Sequence, residues 1–408
     1  MRASGILMGI SSIPSKYGIG CFSKEAYEFV DQLEKAGQQY WQILPLGPTG
    51  YGDSPYQAFS AFAGQPLLIS PDELIKDGLL YGDDLRDYPH FNPDHIYYGD
   101  VIPAKLRILH RSYEIFKESA DLCMLKEFDV FCEHEKDWLD DYALFMAGKD
   151  AHGGACWLEW EDDLRDPDEE IKAAWRERLA DSIEYYKYIQ FIFFRQWNAI
   201  RDYAHVNGIK IVGDIPIFVA LDSADVWANR ELFQLEKDVY PTVVAGVPPD
   251  YFSATGQLWG NPLYDWAYHK ETGFAWWIDR LKSASTLYNT VRIDHFRGFE
   301  SYYAIPYGNK TAEIGEWRKG PGMALFDAVK ASLGDLSIIA EDLGFVTPEV
   351  RKLLKDSGYP GMKVLQFAFD DDPKSTYLPQ NFETSNCIAY TGTHDNMTLR
   401  GWIHGSPS

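Results

Sequence analysis

Seven short apolar runs recur along the chain. They span residues 5–10, 39–46, 209–218, 290–296, 336–344, 362–369 and 387–395. Uninterrupted apolar runs of this length are typical of strands that are buried on both faces of a parallel sheet. We therefore predict seven parallel strands at these positions.

Segments with helical periodicity separate most of these runs. In residues 23–36, Ala26, Val30 and Leu33 recur at helical spacing. The run TPEVRKLLKDSG at 347–358 begins with a threonine N-cap and a proline, and it ends with a glycine. Alternating strands and helices predict an α/β fold with a parallel sheet, and specifically a (β/α)8 barrel to which this chain contributes seven strands.

The distance between the second and third runs is far longer than one crossover helix needs. The intervening chain has helical periodicity at 105–117 and 169–205, so we expect inserted helical subdomains there. A second insertion, at 220–270, is rich in glycine, proline and aromatic residues, and loops of this kind are often functional lids. We predict a barrel start at 1–70, inserted and mostly helical subdomains at 71–205, and the rest of the catalytic barrel at 206–408.

Composition narrows the range of partners. The formal net charge of −23 argues against nucleic acid and anionic membranes, because both are bound by clustered Lys and Arg, and it favours a neutral substrate. Aromatic residues make up 15% of the chain, which fits either a bulky core or a groove that stacks on sugar rings.

The cysteines and the apolar runs bear on location. Five scattered cysteines without a CxxC pair indicate free thiols in a reducing compartment, so we expect a cytoplasmic protein. The N-terminal apolar run is too short for a signal peptide, and no run is long enough to span a membrane. We expect no metal and no organic cofactor, since no glycine-rich phosphate loop follows a strand.

Four of the apolar runs include a carboxylate toward their C-terminal end: Asp214, Asp294, Glu341 and Asp395. One such residue could be a helix cap or a solvated strand end. Four in succession instead indicate a shared site, because active sites of barrels lie at the C-terminal ends of the strands.

Convergent carboxylates suit glycoside chemistry, in which one carboxylic acid protonates the leaving oxygen and a second carboxylate attacks or stabilises the anomeric carbon. A divalent metal site is the competing use. Arg292 lies two positions before Asp294 and therefore on the same face of the strand, where its charge would lower the pKa of the carboxyl group. For His295 and His394, structural hydrogen bonding and sugar contact are equally open.

The runs GDIPIFV, VRIDHFRGFE, IIAEDLG and YTGTHDN resemble the four signature segments of the 4-α-glucanotransferases of glycoside hydrolase family 77, the amylomaltases or disproportionating enzymes. This family is distantly related to the α-amylases. Residues 47–71 are similar to its N-terminal signature, and residues 248–266 look like its characteristic loop. The resemblance extends over residues 5–403.

The resemblance implies a role for each matching residue. Asp294 would be the nucleophile, Glu341 the general acid and base, and Asp395 the stabiliser of the transition state, while Arg292 would hold Asp294 ionised. The residues implied to bind substrate are Tyr56 under the transferred sugar, Asp214, His394 and Trp259 beside it, Tyr251 and Phe252 on the acceptor side, and Tyr51 with Tyr98 at a second glucan site.

The implied function is transfer of α-1,4-glucan segments between maltooligosaccharides or starch-like glucans, by a retaining double displacement. Glu341 has to be protonated first, so we expect burial and nearby Asp294 to raise its pKa. An aromatic lid would exclude water in favour of an acceptor sugar, although a rigid rim loop is the alternative. The alternative functions are an α-amylase-type hydrolase and an inactive glucan-binding fragment. Because the sequence ends soon after YTGTHDN, we expect the eighth strand and the closing helices to be absent.

Overall fold

All seven apolar runs form strands, each shorter than its run. The computed structural model describes residues 2–236, 239–250, 253–344, 346–369 and 372–405, without the side chains of Tyr51 and Asp162. The strands in these residues are β1 (Gly5–Leu7), β2 (Tyr40–Gln42), β3 (Lys210–Pro216), β4 (Val243–Val247), β5 (Gln257–Pro262), β6 (Thr290–Asp294), β7 (Ser301–Pro306), β8 (Glu316–Lys319), β9 (Ile338–Ala340), β10 (Gly361–Val364) and β11 (Cys387–Tyr390).

The main sheet is parallel and has the order β1-β2-β3-β6-β9. Its register places Asp214 beside Arg292 and Pro216 beside Asp294, across β3 and β6. On the other side of β6, Ile293 pairs with residue 340 of β9. The parallel arrangement predicted from the apolar runs is therefore confirmed, and it brings three carboxylate-bearing strands together.

The remaining two predicted strands, β10 and β11, pair in parallel with each other. A small apolar cluster joins them to the main sheet, since Met362 of β10 is buried with Val212 of β3 and Ile339 of β9. Tyr390 of β11 also donates a hydrogen bond from its hydroxyl to Oε1 of Gln42 on β2, at 2.8 Å. Side chains from both sheets thus share one interior.

The helices agree with the predicted periodicity. They are α1 (Lys24–Lys35), α2 (Pro71–Lys76), α3 (Tyr98–Ser119), α4 (Leu122–His134), α5 (Lys136–Ala151), α6 (Asp162–Arg165), α7 (Glu169–Arg178), α8 (Ala180–Val206), α9 (Ala224–Ala228), α10 (Trp266–Glu271), α11 (Ala275–Leu287), α12 (Met323–Leu333), α13 (Pro348–Ser357) and α14 (Leu399–His404). The Thr347 side chain caps α13, and Gly358 ends it with a φ of 72°, as its sequence predicts.

Helices α2–α8 fill the long interval between β2 and β3. Helix α8 anchors the backbone at Gly64 and Ser70, because two of its glutamines form hydrogen bonds with these residues. Gln190 accepts from the amide of Gly64 at 2.7 Å and donates to its carbonyl at 2.9 Å, and Gln196 binds Ser70 in the same way. Paired amide bonds of this kind satisfy backbone groups that burial would otherwise leave without partners.

A four-stranded antiparallel sheet, of order β5-β4-β7-β8, was not predicted. Its first two strands lie inside the aromatic insertion at 220–270. Strand β5 gives no strand pattern because it contains a glycine and a proline, which are rare inside strands, and β8 gives none because it is the polar run EWRK. Part of the expected lid is therefore a strand.

Among the described residues, no helix has both the length and the apolar character needed to cross a bilayer.

Candidate active site

The C-terminal ends of β6 and β9 place Asp294 and Glu341 side by side. The amide of Glu341 donates to the carbonyl of Ile293 at 3.0 Å, and the amide of Phe296 donates to the carbonyl of Glu341 at 3.1 Å. Because the backbone ladder continues through Glu341, this residue occupies the position opposite Asp294. Two of the carboxylates predicted from strand ends are thus direct neighbours.

Arg292 links two carboxylates of this site, those of Asp214 and Asp294. Its Nη1 lies 2.7 and 2.6 Å from the two carboxylate oxygens of Asp214, and its Nη2 lies 2.9 Å from Oδ1 of Asp294. The side chains of Arg292 and Asp214 are fully enclosed. The prediction that Arg292 and Asp294 share a face is therefore confirmed, and one guanidinium is shared between two carboxylates.

The pKa of Asp294 differs from the expectation. Burial raises it to about 7, and the positive charge of Arg292 lowers it without offsetting that rise. The charges of Asp214 and Glu341 add to the rise. Desolvation of the carboxylate outweighs its single ion-pair contact, since Arg292 is already bound to Asp214.

Glu341 is held by backbone donors. Its Oε2 accepts from the amide of His295 at 2.8 Å, and its Oε1 accepts from the amide of Leu343 at 2.7 Å. Burial raises the pKa of Glu341, while the charge of Arg292 and these two hydrogen bonds lower it. The rise is in the expected direction, and the charge of Asp342 contributes to it.

His295, which follows the expected nucleophile, has a left-handed backbone with a φ of 53°. Non-glycine residues rarely adopt this conformation, and they tend to do so at functional sites. Here it directs the amide of His295 toward Glu341. Burial lowers the pKa of the imidazole to about 3, so the ring is neutral, and Trp259 packs edge-on against it with ring centroids 4.8 Å apart.

Tyr56 connects the Arg292 pair to His394. The Tyr56 hydroxyl donates to Oδ2 of Asp214 at 2.8 Å and lies 2.8 Å from Nε2 of His394. Because the single phenol proton is used on Asp214, Nε2 of His394 carries the hydrogen of the second bond. The two rings are stacked, with centroids 5.5 Å apart and 14° between their planes. Burial lowers the pKa of His394, which favours the neutral ring.

These groups open into a cleft of about 310 Å³. Its lining residues are Ser54, Tyr56, Gln57, Pro216, Ile217, Phe218, Trp259, Asn261, Asp294, His295, His394 and Asp395. Asp395 differs from the other carboxylates, because its side chain is 72% exposed and lies 3.4 Å from Nε2 of His394. The cleft therefore combines a partly exposed carboxylate, that of Asp294, with the solvated carboxylate of Asp395 at its mouth.

Eight of the residues predicted from the sequence come together here: Tyr56, Asp214, Trp259, Arg292, Asp294, Glu341, His394 and Asp395. Tyr251 and Phe252 lie outside the described residues, as does the Tyr51 side chain. Tyr98 lines a different cleft of about 390 Å³, with Asn92 and His95.

Gln57 and Asn261 also line the cleft, but they were not among the residues predicted from the sequence. Gln57 donates from Nε2 to Oδ1 of Asn261 at 3.1 Å, and Asn261 donates to the carbonyl of Val219 at 2.8 Å. Both residues could have been predicted from the sequence. Gln57 follows Tyr56 directly, and Asn261 lies two positions after Trp259, in segments that were already singled out. Within the described parts of the chain, no group of three or more His, Cys, Asp or Glu side chains is placed to hold a metal ion.

The comparisons with known proteins agree on one family. A family model described as 4-alpha-glucanotransferase matches residues 8–407. The 4-alpha-glucanotransferase of Clostridium butyricum is 52% identical over 399 residues, which cover 97% of this chain and 81% of the relative, and that of a Synechocystis strain is 50% identical over 404 residues, which cover 98% and 80%. The solved amylomaltase of Streptococcus agalactiae, in complex with acarbose, superposes with a TM-score of 0.95 at 43% identity, and the match covers 99% of this chain and 82% of that one.

Proposed function

Because the chain belongs to the 4-alpha-glucanotransferase family, we propose that it transfers α-1,4-glucan segments between maltooligosaccharides by a retaining double displacement. The observation that carries this proposal is the adjacency of Asp294 and Glu341 at neighbouring strand ends, with Arg292 bound to Asp294. Retention requires a nucleophilic carboxylate and an acid within about 5–5.5 Å of each other. Neighbouring parallel strands, about 4.8 Å apart, suit that separation.

In the first step, ionised Asp294 attacks the anomeric carbon of the donor glucan and forms a glucosyl ester. Protonated Glu341 gives its proton to the glycosidic oxygen, so that the reducing-end segment leaves as an alcohol. The raised pKa of Glu341 supports its protonated state near neutral pH. The contact of Arg292 with Oδ1 of Asp294 supports the ionised state of the nucleophile.

In the second step, ionised Glu341 takes the proton of an acceptor 4-hydroxyl. The acceptor oxygen attacks the anomeric carbon, and the bond to Asp294 breaks, which restores both carboxyl groups to their starting states. Asp395 binds sugar hydroxyls and stabilises the transition state, a role that its exposed position at the cleft mouth supports. Tyr56 stacks under the transferred sugar, and Asp214 and His394 fix its hydroxyl in place.

Transfer exceeds hydrolysis only if the acceptor sugar reaches the ester before water does. Trp259 and Phe218 give one side of the cleft an aromatic wall, which supports this preference. We assign the grip on the acceptor to Tyr251 and Phe252 of the lid segment, as predicted from the sequence.

A second glucan site at Tyr51 and Tyr98 is part of the proposal. The cleft beside Tyr98 supports it, as do the polar side chains of Asn92 and His95 there. Burial raises the pKa of the Tyr98 phenol, and the charge of Asp53 raises it further.

We further propose that the strands form a (β/α)8-type barrel with the segment boundaries predicted above. The shared interior of β3, β9 and β10 and the Tyr390–Gln42 hydrogen bond support a curved, closing sheet. We also propose a cytoplasmic location, which the five unpaired cysteines support.

The test is product analysis with maltotriose. Glucose together with maltopentaose and longer oligomers is the expected result. Shorter products alone would indicate a hydrolase instead, and binding without turnover would indicate an inactive glucan-binding protein.

A further inference from the structure

Arg280 of α11 is a buried cation that the proposed chemistry does not use. Its side chain is enclosed, and it points at backbone: Nη2 donates to the carbonyl of Pro216 at 2.6 Å, and Nη1 donates to the carbonyl of Ile217 at 3.1 Å. Burial lowers the pKa of the Arg280 guanidinium, and the charge of the buried Asp225 carboxylate offsets this only in part. Burial of a cation whose charge is only partly compensated is costly, so these two contacts need a reason.

The two carbonyls belong to the segment 216–218, which ends β3 and forms a wall of the cleft. Pro216 is also the register partner of Asp294 across β3 and β6. A proline has no backbone N–H, so the carbonyl that Arg280 binds is the backbone hydrogen-bonding group of Pro216. Movement of the segment would therefore change the surroundings of Asp294 directly.

Arg280 is itself held in place from three sides. The Tyr264 hydroxyl donates to the same Ile217 carbonyl at 2.8 Å, and it lies 3.4 Å from Nη1 of Arg280. The guanidinium carbon lies 5.0 Å from the ring centroid of Trp277 and 5.4 Å from that of Trp276, within the range of cation–π attraction. A planar guanidinium reaches two successive carbonyls with two separate nitrogens while its flat face rests on aromatic rings, whereas an ammonium group has a single nitrogen.

We propose that Arg280 is a positioning residue that holds the wall 216–218 against Asp294 and thereby keeps water away from the glucosyl intermediate. It touches neither substrate nor reacting atoms, and it acts through the backbone of Pro216 and Ile217. This inference rests on the proposed transfer function. The property it governs is the partition of the intermediate between acceptor sugar and water.

The test compares Arg280→Lys and Arg280→Met with Lys105→Met in the full chain. Lys105 is a matched control, because it is also a buried cation whose Nζ donates to a backbone carbonyl, that of Ile69 at 2.7 Å, and it does not line the cleft. For each protein, the melting temperature, the kcat and KM for maltotriose, and the ratio of hydrolysis to transfer are measured per folded molecule.

We expect Arg280→Lys to fold, to lose about 10- to 100-fold in kcat with a smaller change in KM, and to hydrolyse a several-fold larger share of the intermediate. Lys105→Met should lose stability while its kcat and product ratio stay at wild-type values. Wild-type kcat and product ratio in folded Arg280→Lys would overturn the inference. If Arg280→Met does not fold, the result for Arg280→Lys alone tests the positioning role. Absence of longer oligomers from the wild-type protein would instead overturn the transfer function itself.

Discussion

Arg292 binds both carboxylate oxygens of Asp214 through Nη1, at 2.7 and 2.6 Å, and neither side chain is more than 2% exposed. This pair fixes the guanidinium in position, so that Nη2 is left to contact the expected nucleophile, Asp294, at 2.9 Å. Asp214 thereby anchors the cation that the neighbouring carboxylate needs.

Replacement of Arg292 tests this arrangement. Arg292→Lys keeps the charge but cannot contact both carboxylates with separate nitrogens, so we expect kcat to fall about 100-fold or more. The acidic limb of the kcat/KM profile should move to higher pH, because the contact that lowers the pKa of Asp294 is weakened. A steady-state pH series on the purified variant measures both effects.

Arg292→Met provides the stability readout. It leaves Asp214 buried and unpaired, so the free energy of unfolding should fall by about 3–5 kcal/mol in urea titrations. A variant as stable as the wild type, with an unshifted acidic limb, would contradict the proposed role of the shared guanidinium.

Asp294→Asn removes the proposed nucleophile while it preserves shape. We expect kcat to fall by about 1,000-fold or more, because no glucosyl ester can form. The control is Asp335→Asn, which changes an exposed aspartate paired with Lys330 and should leave kcat unchanged. Turnover of maltotriose within tenfold of the wild-type rate would exclude Asp294 as the nucleophile.

The pH dependence of kcat/KM should reflect both carboxyl groups. Asp294 has to lose its proton before it attacks, and burial raises its pKa to about 7, so the acidic limb is expected near pH 7 rather than near pH 4. Glu341 has to keep its proton, so activity falls again on the alkaline side as this buried acid ionises. An acidic limb at pH 4 would show that Asp294 is not desolvated in the free protein.

The pH dependence of stability should also reflect the raised pKa of Asp294. The folded-state pKa of Asp294 is above the unfolded value of about 3.9, so its contribution to stability is complete below about pH 4 and is lost as the pH rises through 7. The amide that Asp294→Asn introduces does not titrate. The melting temperature of that variant minus that of the wild type should therefore increase from pH 4 to pH 7 and then level off, as thermal melts in matched buffers would record.

Tyr56→Phe tests the link between Asp214 and His394. It deletes the hydroxyl that donates to Asp214, so we expect about 1–3 kcal/mol lower stability together with about tenfold lower kcat/KM. Tyr186→Phe is the matched control, because it deletes a buried hydroxyl that donates to the Asp150 carboxylate outside the cleft and should lower stability alone. Equal kinetic effects in the two variants would mean that the Tyr56 hydroxyl has only a structural role.

Local pattern was enough for the elements that have one strong signal. The seven parallel strands were readable because each lies in a predominantly apolar run, and α13 was readable because Thr347 and Gly358 mark its ends. Strands β5 and β8 were not readable from the sequence, because it is antiparallel pairing with β4 and β7 that overrides their unfavourable composition.

The sequence by itself determined which residue types stand at the strand ends, and therefore the carboxylates, Arg292 and the aromatic rings that glycoside chemistry needs. Only the tertiary structure decided how their charges balance. Arg292 is shared between Asp214 and Asp294, so burial prevails at Asp294 and its pKa rises instead of falling. It also revealed the left-handed His295 that offers its amide to Glu341, and the Arg280 contacts with the cleft wall. These outcomes depend on desolvation and on contacts between residues far apart in the chain, neither of which a linear pattern encodes.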